Sequence, residues 1–315
     1  MTDNIRMTLE PVLVIGATGQ QGGAVARALL AGGTPVRALV RDAGAARAKA
    51  LAALGANLVI GDLNDSASLL AAATGVRGVF SVQAPDIADL TSGSDRVQGK
   101  NLVDAATAAG VPQFVHSSVS GAGDYHRHAP GWAEGRWTGY TEHYWESKAY
   151  TEELVRAAGF TSWTIIKPPS FMENYTPPSF LFGNWVDDGF VTAYAAETRL
   201  PLVAVQDIGA AGAAVFNDPE TFNKVDLELA GDDLTMTEVA RVLSEVLGRE
   251  IAAPVLSPAD ALARGLMPAI VTLQEWFNDV GSPARPEYAR ALGLTPINFK
   301  TWATKTLRLA LRENA

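Results

Sequence analysis

Cysteine is absent from the 315 residues. That excludes a disulfide framework, a thiolate metal site and a cysteine nucleophile. No basic tract offsets a net charge of −9, from 34 acidic and 25 basic residues. Direct nucleic-acid binding, which rests on phosphate neutralisation, is therefore disfavoured. No apolar run approaches the roughly 18 residues needed to cross a bilayer. The polar start Met1-Thr2-Asp3-Asn4 is not followed by the apolar core of a signal peptide. Charged residues make up only 19% against 48% hydrophobic, a balance that fills a packed core and shows no signature of disorder. The length suits about two domains, or one large α/β domain with an appendage. The expectation is a soluble cytoplasmic protein, monomeric or homodimeric, with no membrane partner.

What is present is a rhythm. Val12 to Ile15 is a short β-prone run ending in glycines, as a strand buried on both faces of a parallel sheet reads. Ala24, Val25, Ala28 and Leu29 follow at helical spacing up to Gly32 and Gly33. Further strands are predicted at 36–40, 57–60, 79–82, 113–116 and 162–166. Helices are predicted at 43–54, 66–73, 96–109 and from about His143 to Gly159. This alternation implies parallel pairing with right-handed crossovers: a doubly wound, Rossmann-type α/β sheet over residues 1–168. Residues 169–315 read as a smaller, mostly helical substrate lobe, with some strands and helices returning to the main sheet. Strands are predicted near 202–205 and 225–229. Thr235-Met236-Thr237-Glu238 reads as a capping box before an apolar helix that Gly248 closes. Gly121 to Glu142 breaks the rhythm with a long, aromatic-rich loop.

Gly16-Ala17-Thr18-Gly19-Gln20-Gln21-Gly22 joins the first strand to its helix. Gly16 permits the tight turn, Gly19 lets backbone approach a pyrophosphate, and Gly22 allows helix and strand to pack closely. The first amides of the helix and its dipole face the anion. The spacing GxxGxxG recurs by chance in a chain with 29 glycines, so its place after the first strand of a βαβ series carries the weight. Strand two ends Val40-Arg41-Asp42. Arg41 is placed to pair with a 2′-phosphate and favours NADP(H); Asp42 would favour the unphosphorylated cofactor if the strand ran one residue longer. Asp62 and Leu63, after strand three, lie where an adenine would rest, and Gln83 ends strand four.

Tyr144 and Lys148 are four apart on one helical face. An ammonium beside a phenol lowers the phenol pKa, which suits a general acid for carbonyl reduction, and it can also hold a ribose. Ser117, Ser118 and Ser120 follow strand five at the carboxyl edge, where a serine could polarise a substrate oxygen, and Ser118 is the expected donor. Trp132, Trp137 and Tyr140 read as a lid or apolar pocket wall. His126 and His128 have no third ligand at metal spacing, so no metal is expected.

Together these segments resemble the short-chain dehydrogenase/reductase superfamily. Ile165-Ile166-Lys167-Pro168-Pro169-Ser170-Phe171-Met172-Glu173-Asn174 is similar to the RPxxFMEN segment of its atypical, NmrA-like branch. Asp207-Ile208-Gly209 and Leu229 to Thr235 with Glu238 resemble later motifs of that branch, so the similarity spans about residues 10–305. The resemblance implies NADP(H) binding, with Pro169 and Phe171 near the nicotinamide and Asn174 near substrate. The branch contains reductases of quinones, dyes and other unsaturated substrates, and also redox sensors that bind the dinucleotide without turning it over. Sensors carry His or another residue four before the lysine, where this chain has Tyr144. The expected function is NADPH-dependent reduction of a carbonyl, quinone or other unsaturated group in a hydrophobic small molecule. The alternatives are a non-catalytic sensor and a sugar-nucleotide epimerase or dehydratase, against which the apolar segment from Phe171 to Trp185 speaks.

Overall fold

The computed structural model describes residues 10–313 apart from 87, 88, 90, 180, 183 and 184; the polar start Met1–Asn4 lies outside the described residues. The strands are β1 (Val12–Val14), β2 (Val36–Val40), β3 (Asn57–Ile60), β4 (Gly78–Val82), β5 (Gln113–Ser117), β6 (Ser162–Lys167), β7 (Ser170–Phe171), β8 (Leu200–Val203), β9 (Val225–Glu228) and β10 (Asp232–Leu234). The helices that matter here are α1 (Gln20–Ala31), α2 (Ala46–Ala53), α3 (Ser66–Ala73), α4 (Ser94–Ala108), α5 (Asp124–Arg127), α6 (Tyr140–Ala157), α7 (Trp185–Asp188), α8 (Val205–Asn217), α9 (Met236–Leu247), α10 (Pro258–Ala263) and α11 (Pro268–Asp279). The chain forms two compact units. One holds the residues up to Gly123 with His143–Lys167 and Ile208–Leu227; the other holds Asp124–Glu142, Pro168–Asp207 and the residues from Glu228 onward.

The first unit is built on a sheet of order β3-β2-β1-β4-β5-β6-β9. Its first six strands pair in parallel, with Val12 opposite both Val36 and Gly78, and Gln113 opposite both Gly78 and Ser162. Apolar runs make this possible: Val12, Leu13, Val14, Val79, Phe80, Phe114 and Val115 are all fully buried, as strands covered by helices on both faces require. Strand order reverses between β1 and β4, and such a reversal opens a crevice at the carboxyl ends of the strands. Small residues let α8 lie against α1. A Cβ at Gly209 would come within 2.7 Å of the Ala24 backbone, and one at Gly212 within 2.9 Å of Val25. This is the Rossmann-type α/β architecture.

The second unit carries a three-stranded sheet, β10-β8-β7, and most of the remaining helices. Its core is aromatic: Tyr175, Phe182, Trp185, Phe190, Phe299 and Trp302 are all buried there. The segment 124–142 is not a loose excursion. Trp137, 3% exposed, and Trp132 set their rings edge-on to Trp276 of α11 at 5.1 and 5.7 Å, and His126 meets Trp132 at 4.5 Å. Tyr125 donates to the Val280 carbonyl at 2.7 Å.

Element boundaries follow the sequence expectation with small shifts. Gly93, at φ 67°, starts α4 at Ser94, two residues early, and α6 begins at Tyr140. Residues 140–142, at the end of the expected loop, thus belong to the helix that carries Tyr144. Among the described residues, no helix is long and apolar enough to cross a membrane.

Candidate active site

The glycine turn follows from local conformation. Gly16 has φ +64°, a region that side chains with a Cβ rarely enter. Its carbonyl accepts from the Gly19 amide at 2.8 Å. Gly19 is the N-cap of α1 and supplies no side-chain cap, and no acid stands in the first turn. The opening amides and the positive end of the dipole are therefore left for an anion. A Cβ at Gly22 would lie 2.3 Å from the Ile15 carbonyl oxygen, so only glycine lets α1 start this close to β1. These residues fit a dinucleotide diphosphate. Gln21 has a second duty: its carboxamide oxygen accepts from Ser117 Oγ at 2.6 Å, tying the start of α1 to the end of β5 and leaving its amide for a ligand.

Beside the turn lies a cleft of about 370 Å³, lined by Thr18, Gly19 and Gln20, by Arg27 and Arg47, and by Leu51 and Leu54. Both arginines are exposed. They were not foreseen, because they stand on helices rather than at a strand end. β2 closes at Val40, so Arg41 is the first residue beyond it and Asp42 the second. The Asp42 carboxylate accepts from the Gly44 amide at 2.7 Å and shapes its own loop. Asp62 behaves similarly, accepting from both nitrogens of Asn64 at 2.8 and 3.0 Å. The Leu63 side chain packs on the core, while its carbonyl accepts from Asn101.

On α6, Tyr144 is half-buried and Lys148 is buried. The Lys148 ammonium lies 5.7 Å from the Tyr144 ring centroid. It donates to the Gln83 carbonyl at 2.8 Å and stands 3.7 Å from Asp95 Oδ2 on α4. Burial pulls the amine below the usual lysine range, and the Asp95 charge opposes that pull. The Gln83 side chain donates to Ser81 Oγ, which meets His116 Nδ1 at 3.2 Å. Burial, assisted by Lys148 and Lys167, takes His116 down to about 3, so this imidazole is neutral. Ser118 gives its one hydroxyl proton to Glu152 Oε1 at 2.6 Å, and Lys167 and Arg156 hold the other oxygen at 3.0 Å each. Burial raises the Glu152 carboxyl against these partners.

Pro169, Phe171, Asn174, Trp132 and Trp137 belong to the second unit. There Phe171 pairs with Val203, Asn174 donates weakly to Ser170 Oγ, and Trp132 and Trp137 pack on Trp276. Glu173 bridges the Val205 amide and the Trp302 indole. Among the described residues, no cluster of three or more histidines and carboxylates could hold a metal ion.

Known proteins resemble this chain in sequence or in fold. The NAD(P)H azoreductase of Xenophilus azovorans is 31% identical over 284 residues, 88% of each chain. A quinone oxidoreductase of Escherichia coli, solved with NADPH, superposes with a TM-score of 0.73 at 23% identity, covering 96% of this chain and 100% of that one. NmrA, a negative transcriptional regulator solved with NAD, gives 0.76 at 21% identity, covering 98% of both. At these identities the two structures speak for the fold alone. The sequence also matches the NmrA-like family across residues 9–302, from just before the first strand almost to the end. The chain belongs to the NmrA-like family.

Proposed function

We propose that the chain is an NADP(H)-dependent oxidoreductase that reduces a carbonyl, quinone or other unsaturated group in a hydrophobic small molecule. The observation that carries this reading is the half-buried phenol of Tyr144 beside the ammonium of Lys148, on the helix following the carboxyl end of β5. When bound, the reduced nicotinamide would supply a hydride, that is, a proton with two electrons. The opening amides of α1 hold the diphosphate, and Arg41 with Arg27 and Arg47 attracts a 2′-phosphate. Lys148 would hold the ribose and lower the pKa of Tyr144, whose neutral phenol gives its proton to the oxygen gaining charge and is left as a tyrosinate that the ammonium stabilises. Ser118 has a single proton and gives it to Glu152, so in this reading it fastens α6 to β5 and stays outside the proton chemistry. A non-catalytic sensor would share the glycine turn and needs no acid; Tyr144, four before the lysine, favours reduction.

Loss of NADPH absorbance with a naphthoquinone, an azo dye, a ketone and an imine tests the reading. Tyr144→Phe is expected to lower kcat/KM for the best of them by about 10²- to 10⁴-fold, with NADPH affinity unchanged by calorimetry. Tight NADPH binding with no turnover on any probe would instead favour the sensor.

A further inference from the structure

Lys148 is not an isolated amine. Its Nζ is confined on three sides: by the Gln83 carbonyl at 2.8 Å, by the Tyr144 ring at 5.7 Å and by Asp95 Oδ2 at 3.7 Å. Asp95 and Lys148 are 5% and 7% exposed, so neither charge is answered by bulk water. Three other titratable groups stand nearby: His116 on β5, which is neutral, Arg96 beside Asp95 on α4, and His143 on α6, whose Nε2 meets Ser147 Oγ at 3.3 Å. Asp95 is the carboxylate that lies within ion-pair reach of Lys148 among the described residues. Its own geometry is fixed: it stands in the first turn of α4, where the helix dipole favours an anion, and its Oδ1 accepts from the Arg96 amide at 3.0 Å. Arg96 in turn donates to Ser147 Oγ at 2.9 Å, one residue before Lys148. That second link joins α4 to α6 at the same level.

We infer that Asp95 is a positioning residue that keeps Lys148 in its ammonium form and holds that ammonium against the Gln83 carbonyl, over the Tyr144 ring. A buried lysine loses its proton readily unless an anion is close, and a neutral amine neither acidifies a phenol nor holds a ribose hydroxyl as a charged donor. Asp95 acts through Lys148, whose Nζ its Oδ2 approaches at 3.7 Å. It extends the charged state of the tyrosine–lysine pair to higher pH. The inference rests on the reading of Tyr144 as the acid only for its consequence in turnover; the charge of Lys148 is a property of the protein alone.

The test is NMR titration of protein labelled at lysine Cε, with the Lys148 signal identified by its loss in Lys148→Arg. Asp95→Asn is expected to move the Lys148 midpoint down by about one pH unit or more, as removal of a close buried counter-charge does. The high-pH limb of NADPH-dependent naphthoquinone reduction is expected to move down with it, and Asp95→Glu to recover part of both. A Lys148 midpoint that stays in place in Asp95→Asn overturns the inference. Should the amide variant not fold, Asp95→Ser, which also removes the charge, takes its place, and a Lys148 midpoint that stays put there overturns the inference equally. If Tyr144→Phe keeps full turnover, the reading of Tyr144 falls while the Lys148 titration still judges Asp95.

Discussion

Asp207 sits where ionisation is unfavourable. Its Oδ2 accepts from the Ile297 amide at 3.0 Å, and burial, with Glu173 nearby, raises its carboxyl from 3.8 to about 6. Glu173 is raised by burial too. A carboxyl whose folded pKa exceeds its unfolded value binds a proton in the native state that the unfolded chain has released. Its contribution to stability therefore declines as pH rises from about 4 to about 6 and is level above. Asp207→Asn keeps an acceptor for Ile297 and removes this titration. Urea midpoints should show the variant gaining on the native protein between pH 4.5 and 7, and an equal difference at both ends would show that Asp207 does not titrate there. The sequence marked Asp207-Ile208-Gly209 only as a motif. The Asp207 partner lies 90 residues further on, and Gly209 answers to Ala24, so neither reason could be read locally. The Asp95–Lys148 pair was hidden for the same cause, whereas Tyr144 and Lys148 share a helix and were legible.

Elements whose limits are set by neighbouring residues were the readable ones. β2, β3 and α3 begin and end where the pattern places them, because β-branched or alanine-rich runs meet glycine, proline or a capping acid within a few positions. α9 shows this best. Thr235 Oγ1 accepts from the Glu238 amide at 3.2 Å, Glu238 Oε2 accepts from the Thr235 amide at 2.9 Å, and Gly248 closes the helix at φ 70°. Between these signals Met236, Val239, Ala240, Val242 and Leu243 bury one face. Thr235→Ala leaves the Glu238 amide without its side-chain acceptor and should lower stability by about 1 kcal/mol in urea unfolding, while Thr235→Ser keeps most of it. A neutral Thr235→Ala would show that packing alone holds this helix. The segment 124–142 lacked any such local signal. Its order comes from indole contacts with Trp276, well over a hundred residues away, so its sequence showed missing periodicity and not the docking.

Each unit closes its own apolar core, and the molecule as a whole carries a charge of −9. That charge repels a dinucleotide, which is itself an anion, so affinity must come from a local reversal of sign. Arg41, at the end of β2, was readable as one source; Arg27 and Arg47 were not, because the cleft forms only when two helices meet beside the glycine turn. A ligand that binds only the native state stabilises it by about 2.7 kcal/mol at a hundredfold excess over Kd. If the arginines answer a 2′-phosphate, NADPH at a given concentration should raise the thermal midpoint more than NADH does. The gap should narrow in Arg47→Ala, and also in about 1 M salt, where the screening length falls to roughly 3 Å. Equal shifts from the two cofactors in the native protein would mean that the arginine cleft does not read the phosphate. A gap untouched by Arg47→Ala would return that task to Arg41, the residue at the strand end.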